Sequence, residues 1–176
     1  VLFGTSEFLS HFLIAHPELL DTLLRADTVT PVKRKEELRV ELTSALSVAE
    51  GYEEVLDGIR RFRNTELIRI GLNDVAEEIG LAEVSAQLTT LAELSMETAL
   101  RVSQEEIRNR YGTPFLSDGK EAVISVIGMG KLGGAEMNYS SDLDLIFIYS
   151  GGGETKGPKV ITNQEYFAKV VQKVIS

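Results

Sequence analysis

The chain has 176 residues, 43% of them hydrophobic and 26% charged, which is the length and apolar content of one or two globular units. A net charge of −9 and a sequence pI near 4.8, with no Lys/Arg cluster interleaved with aromatics, argue against an extended nucleic-acid groove. With no cysteine, no apolar run of membrane-spanning length and no cleavable-leader pattern, a disulfide scaffold and a membrane protein fall away, and a soluble protein of the reducing cytoplasm is expected.

In chain order, Ser6 to Ala26 has Phe8, Leu9, Phe12, Leu13 and then Leu19, Leu20, Leu23, Leu24 on repeating faces, with Pro17 where a second helix would begin. Thr28 to Pro31 reads as a turn. Val32 to Ala49 carries Leu38, Leu42, Ala45 and Leu46 at helical spacing and predicts a third helix. Gly51 ends it, and Tyr52 to Ile79 predicts one long or kinked helix, with Gly58 and Gly71 as possible interruptions. Leu81 to Arg110 is strongly amphipathic: Val84, Leu88, Leu91 and Leu94 oppose a polar face that includes Glu83, Gln87, Thr90, Glu93 and Glu97. Tyr111 to Lys120, with two glycines, a proline and an Asp-Gly step, predicts a loop and a boundary, dividing a helical region, 1–117, from a strand-containing one, 118–176. Ser150 to Lys159 reads as a glycine-rich loop, and Thr162 to Ser176 as a helix capped by Thr162 or Asn163. The chain opens at Val1 without a methionine and stops at Ser176 inside an apolar-periodic segment, as expected of a piece of something longer.

The most informative stretch is Val123 to Tyr149. A β-branched segment meets glycines at 128, 130, 133 and 134, and a second apolar segment opens with Asp142-Leu143-Asp144. If these acids open a strand, they share a face, with Cα atoms about 6.6 Å apart. Two carboxylates that close repel each other unless a cation intervenes, and Mg²⁺ takes oxygen ligands completed by water and substrate phosphates. Since the following Leu-Ile-Phe-Ile-Tyr is apolar on both faces, a buried sheet is expected behind them, where unpaired acid is unfavourable. Lys131 and loop N–H groups beside them suit phosphate. Ser140 and Ser141 serve equally as turn residues or phosphate donors, and Glu136 and Asn138 as supports for the loop or as solvent-exposed residues. His11 and His16 read as structural.

Gly128-Met-Gly130-Lys-Leu-Gly133 also satisfies the GxGxxG dinucleotide pattern. Only residues 134–141, eight in all, separate Gly133 from Asp142, too few for the helix of a parallel crossover. A Walker loop fails because Leu132 follows Lys131 where a hydroxyl is needed.

The run Gly128-Met-Gly130-Lys131-Leu132-Gly133-Gly134-Ala-Glu136-Met-Asn138-Tyr-Ser140-Ser141-Asp142-Leu143-Asp144-Leu145-Ile146 closely resembles the signature of the glutamine synthetase adenylyltransferase family, also called glutamate-ammonia-ligase adenylyltransferases. The stretches around Phe8-Leu9, His16 to Leu20 and Arg60 to Asp74 are similar to segments that precede it in that family. The resemblance implies an α+β, mostly helical fold: a helical bundle followed by the start of a polymerase-β-like nucleotidyltransferase domain with a truncated mixed sheet. It implies Mg²⁺ on Asp142 and Asp144, and ATP phosphates held by Gly130, Lys131, Gly133, Gly134, Ser140 and Ser141. Lysine stands at 131 where that wider superfamily usually has serine or glycine. The family has two such halves, one removing AMP from a tyrosine of glutamine synthetase by phosphorolysis and one attaching it from ATP. The stretch from Arg63 to Asp74, with Val84 to Glu93, leans towards the attaching half and leaves the direction open. Glutamine synthetase and a nitrogen-regulatory signalling protein are the implied partners. A third carboxylate from a later strand belongs to the superfamily's metal site, and after Asp144 this chain offers only Glu154, in a predicted loop, and Glu165, in a predicted helix. An incomplete, inactive fragment with an open sheet edge is therefore expected. The competing class is a non-catalytic nucleotide-sensing or partner-binding helical module.

Overall fold

A computed structural model describes residues 6–19 and 30–175. Four helices make the body: α1 (Glu7–Ala15), α2 (Lys35–Leu46), α3 (Tyr52–Val75) and α4 (Leu81–Tyr111). The expected apolar positions Leu20, Leu23 and Leu24, and the expected turn at Thr28, lie outside the described residues. Strands β1 (Thr113–Leu116) and β2 (Ile124–Gly128) follow, then a single helical turn, α5 (Gly130–Gly133), strands β3 (Leu145–Tyr149) and β4 (Gly153–Lys156), and helix α6 (Asn163–Ile175). The class is α+β and mostly helical, as expected.

The 31-residue α4 is the spine, because its apolar positions contribute to all three buried clusters. Val84, Leu88, Leu91 and Ala92 join Leu9 and Leu13 of α1 and Leu67, Ile68 and Ile70 of α3; Leu94 and Val102 meet Leu38, Leu42, Leu56 and Ile59; Ile107 and Tyr111 meet Tyr166, Phe167 and Val170 of α6. Gly58 and Gly71 do not interrupt α3. A Cβ at Gly71 would sit 2.5 Å from Leu9 Cδ2, and one at Gly58 2.5 Å from Leu46 Cδ2, so both let neighbouring side chains close on the helix. Gln87, expected on the polar face, is buried. It accepts from Arg69 Nη2 (2.8 Å) and donates to the Lys33 carbonyl, while Glu66 accepts from Arg69 Nε (2.7 Å) and Lys33 Nζ (2.9 Å). Arg69 also donates to the carbonyls of Thr30 and Pro31, so every nitrogen of this buried charge has a partner.

Two sequence expectations are corrected here. The segments around Pro114 and Gly153, read as loops from their turn residues, pair as antiparallel β1 and β4, Thr113 opposite Lys156 and Leu116 opposite Gly153. Asn163 Nδ2 braces them by donating to the carbonyls of Phe115 and Gly151, and Thr162 takes the α6 cap, its hydroxyl accepting from the Glu165 N–H. In place of one truncated mixed sheet there are two separate antiparallel pairs, β1–β4 and β2–β3. The physical reason for the second is its connector: one helical turn cannot carry a parallel crossover, so β3 returns against β2, Ile124 opposite Tyr149 and Gly128 opposite Leu145. That direction also removes the dinucleotide reading, which needs parallel strands. Among the described residues no helix is long and apolar enough to cross a membrane.

Candidate functional site

The β2–β3 ribbon is covered on one face only. Ile127, Ile146 and Ile148 are 44%, 46% and 51% exposed, so the buried sheet expected behind the acidic pair is not present among the described residues. The apolar run predicts two buried faces, whereas the outer face of this ribbon is open. Asp142, Leu143 and Asp144 lie before β3, not on it, and are all exposed.

What the structure does bring together is the glycine turn and the second acid. The Met129 N–H donates to the Asp144 carbonyl at 2.8 Å, which carries the β2–β3 ladder one step past Gly128. Gly130 has φ +51°, in the left-handed region, and a Cβ there would stand 2.8 Å from Asp144 Oδ2. The positive φ is what favours glycine there, and the carboxylate of the exposed Asp144 side chain lies close against the start of the turn. Within the turn, the N–H groups of Gly133 and Gly134 donate to Met129 and Gly130 carbonyls, so they are used internally. The amides of Gly130, Lys131 and Leu132 are the three that a helix start leaves without backbone partners. Lys131 is exposed and, among the described residues, makes no ion pair.

Ser140 and Ser141 are gathered by Asn138. Its Oδ1 accepts from the Ser140 N–H (3.2 Å) and the Ser141 hydroxyl (2.7 Å), while Ser141 Oγ accepts from the Asn138 N–H (2.9 Å). Asn138 thus orders the turn that leads into Asp142. Glu136 is exposed. Next to this turn, α3 and α4 enclose a cavity of about 180 Å³, apolar at Leu67, Leu91 and Ala92 and edged by Arg63, Asn138 and Ser141.

Three residues absent from the sequence reading hold this segment to the body. Tyr139 donates its hydroxyl to Asp74 Oδ2 (2.8 Å) at the end of α3 and packs its ring, tilted by 35°, against Phe8, and Ser85 of α4 donates to the Met137 carbonyl (2.9 Å). Burial, and then the Asp74 carboxylate, push the Tyr139 phenol well above the ordinary tyrosine range, so it stays a donor. Nothing in sequence spacing couples Asp74 to Tyr139; the alternation of Met137 and Tyr139 around Asn138 was the available signal.

Chemically, two exposed carboxylates separated by one residue, beside a serine turn, are oxygen ligands of the kind hard divalent cations accept. Their donor type suits Mg²⁺. Glu154, expected in a loop, sits on β4 in the other ribbon, paired opposite Phe115. Among the described residues no group of three or more His, Asp or Glu side chains is placed to hold a metal.

The whole chain, residues 1–176, matches the family described as glutamate-ammonia ligase adenylyltransferase. It is 34% identical over 182 residues to the bifunctional glutamine synthetase adenylyltransferase/adenylyl-removing enzyme of Thioalkalivibrio sulfidiphilus, a match covering 99% of this chain and 19% of that protein. The proteins of the same description from Nitrosococcus oceani and Alteromonas mediterranea are 35% and 32% identical, over 99% and 97% of this chain and 18% of each relative. The chain therefore spans about a fifth of the length of the curated relatives it matches.

Proposed function

Because this chain belongs to the glutamate-ammonia ligase adenylyltransferase family, we propose that it contributes the nucleotide-handling part of an adenylyl transfer between ATP and a tyrosine of glutamine synthetase. The observation that carries this is the seating of Gly130 flush against the Asp144 carboxylate, which sets a phosphate-type turn beside a cation-type pair. In this reading Asp142 and Asp144 hold Mg²⁺. When bound, that ion neutralises phosphate charge and makes a hydroxyl more acidic. Lys131 and the N–H groups of Gly130 to Leu132 hold phosphate oxygens, Gly133 and Gly134 let the turn close tightly, and Ser140 and Ser141 reach the same anion by turning their hydroxyls away from Asn138 Oδ1, to which both point in the structure. Holding the reacting groups in line is the largest contribution the chain's own residues make.

In the attaching direction, the phenol oxygen of the acceptor tyrosine bonds to the α-phosphorus of ATP as the bond to the β-phosphate oxygen breaks. The phenolic proton goes to solvent and pyrophosphate leaves. In the removing direction, inorganic phosphate bonds to the same phosphorus and the tyrosyl oxygen departs, giving ADP. Regulation by a nitrogen-regulatory signalling protein and action in the cytoplasm belong to the same proposal.

The test is label transfer from ATP to unmodified glutamine synthetase. In the full-length protein, Asp142→Asn and Asp144→Asn should each lower transfer by about 100-fold to 1,000-fold or more while the thermal midpoint moves little. The isolated 176-residue chain, with so sparse a ligand set, should transfer far more slowly than the full-length protein. Wild-type transfer by either variant would overturn the assignment.

A further inference from the structure

We infer that Tyr139, Asp74 and Ser85 form a latch that sets the acidic segment in register with the helical body, making them positioning residues for the transfer step. This rests on the reading of Asp142 and Asp144 given above. The β2–α5–β3 unit is tied together internally by the ladder, by the Met129–Asp144 bond and by the contact of Gly130 with Asp144. Its seating on the body is much looser. The outer face of the ribbon is exposed, and on the inner side a cleft of about 520 Å³ lies between Val126, Gly128 and Leu132 of the unit and Lys35, Met96 and Leu100 of the body. Leu132, Met137 and Leu145 do reach the helical core. Apolar contact is non-directional, however, and does not by itself fix how far the unit slides or turns.

Direction comes from hydrogen bonds. Ser85 grips the carbonyl of Met137 and Asp74 grips the hydroxyl of Tyr139, two alternate residues, while Asn138 between them turns outward to order Ser140 and Ser141. The last gripped residue is three positions before Asp142. The Tyr139 ring would pack on Phe8 equally well without its hydroxyl, so packing does not require the oxygen. Its bond to Asp74 defines a position. Since every proposed phosphate and cation contact lies on the unit itself, releasing the latch should leave nucleotide binding intact and misplace the bound nucleotide relative to the body and to an acceptor delivered against it. A misplacement of about 1 Å in reacting groups is enough to slow a reaction about 100-fold.

The experiment uses the full-length protein and measures kcat, KM for ATP, the stoichiometry of Mg-ATP binding and the thermal midpoint. Tyr139→Phe and Asp74→Ala should each lower kcat by about 10-fold to 100-fold with KM for ATP within about twofold and binding stoichiometry unchanged. Asp74→Asn, which keeps an acceptor oxygen, should recover most of the loss. A wild-type kcat in Tyr139→Phe, beside an inactive Asp142→Asn, would overturn the latch and leave the site reading standing. Full activity in Asp142→Asn would overturn the site reading itself. A fall in binding stoichiometry parallel to kcat would show that the hydroxyl serves folding alone and would also overturn the latch. Should Tyr139→Phe not fold, Ser85→Ala, which removes the other tether, decides the matter: lowered kcat at constant KM supports the latch, and unchanged kcat overturns it.

Discussion

Two groups of charge in the molecule are treated in opposite ways. Inside the helical body, Glu66 and Arg69 are 3% and 6% exposed, and Lys33, Gln87 and the carbonyls of Thr30 and Pro31 answer them. At the mouth of β3, Asp142 and Asp144 are exposed, and the exposed Lys131 beside them makes no ion pair among the described residues. Charge whose partners are all internal serves the fold, because removing one member strands the others in a low dielectric. Charge left open to solvent, held in place by backbone and not by counter-charge, is available to a ligand.

The comparison breaks most visibly in the buried set. Arg69→Ala should destabilise the chain by about 3–5 kcal/mol, read as a lower denaturant midpoint, because Glu66 is left buried beside one lysine. ATP affinity per folded molecule should not change, and an affinity loss in proportion to stability would erase the distinction between the two regions. A smaller effect is expected at the open set: Lys131→Ala should weaken Mg-ATP binding by about 10-fold, roughly 1.4 kcal/mol, without moving the denaturant midpoint. Smallest is an exposed pair that is satisfied. The Lys35 ammonium, bonded to Glu97 Oε1 at 2.9 Å, holds the Glu97 carboxyl below the ordinary glutamate range. A carboxyl lowered in the folded state stabilises above the unfolded value and loses that contribution as pH falls through the lowered one. With Glu97 47% exposed, screening keeps the contribution under about 1 kcal/mol, so Glu97→Gln should lower stability slightly at neutral pH and not at all in acid.

The helical body was legible because periodicity over a length such as α4 is averaged across many turns, and the bounds read from it, Leu81 to Arg110, differ from the observed helix by one residue. The antiparallel β2–β3 return agrees with the short connector. Where pairing partners lie far apart in sequence, local signals misled. Pro114 and Gly153 look like turn residues, and only the fold places them on neighbouring strands. Gln87 looked exposed because no sequence window contains its partners Lys33 and Arg69. The β3 residues looked buried on both faces because apolar character was the only signal, and Ile146 and Ile148 are exposed. At the candidate site, the residue types were legible; the contact of Gly130 with Asp144 and the grip of Asp74 on Tyr139 were not, since both are matters of distance.

In the proposed function the open acidic pair exists for a cation carrying a nucleotide. Titration calorimetry of ATP, with and without Mg²⁺, into the full-length protein and its Asp142→Asn/Asp144→Asn variant tests it directly. ATP should bind the wild type much more tightly with Mg²⁺ than without, and the variant should lose that dependence while keeping its nucleotide-free thermal midpoint. Equal Mg²⁺-dependent binding by the variant would contradict the claim.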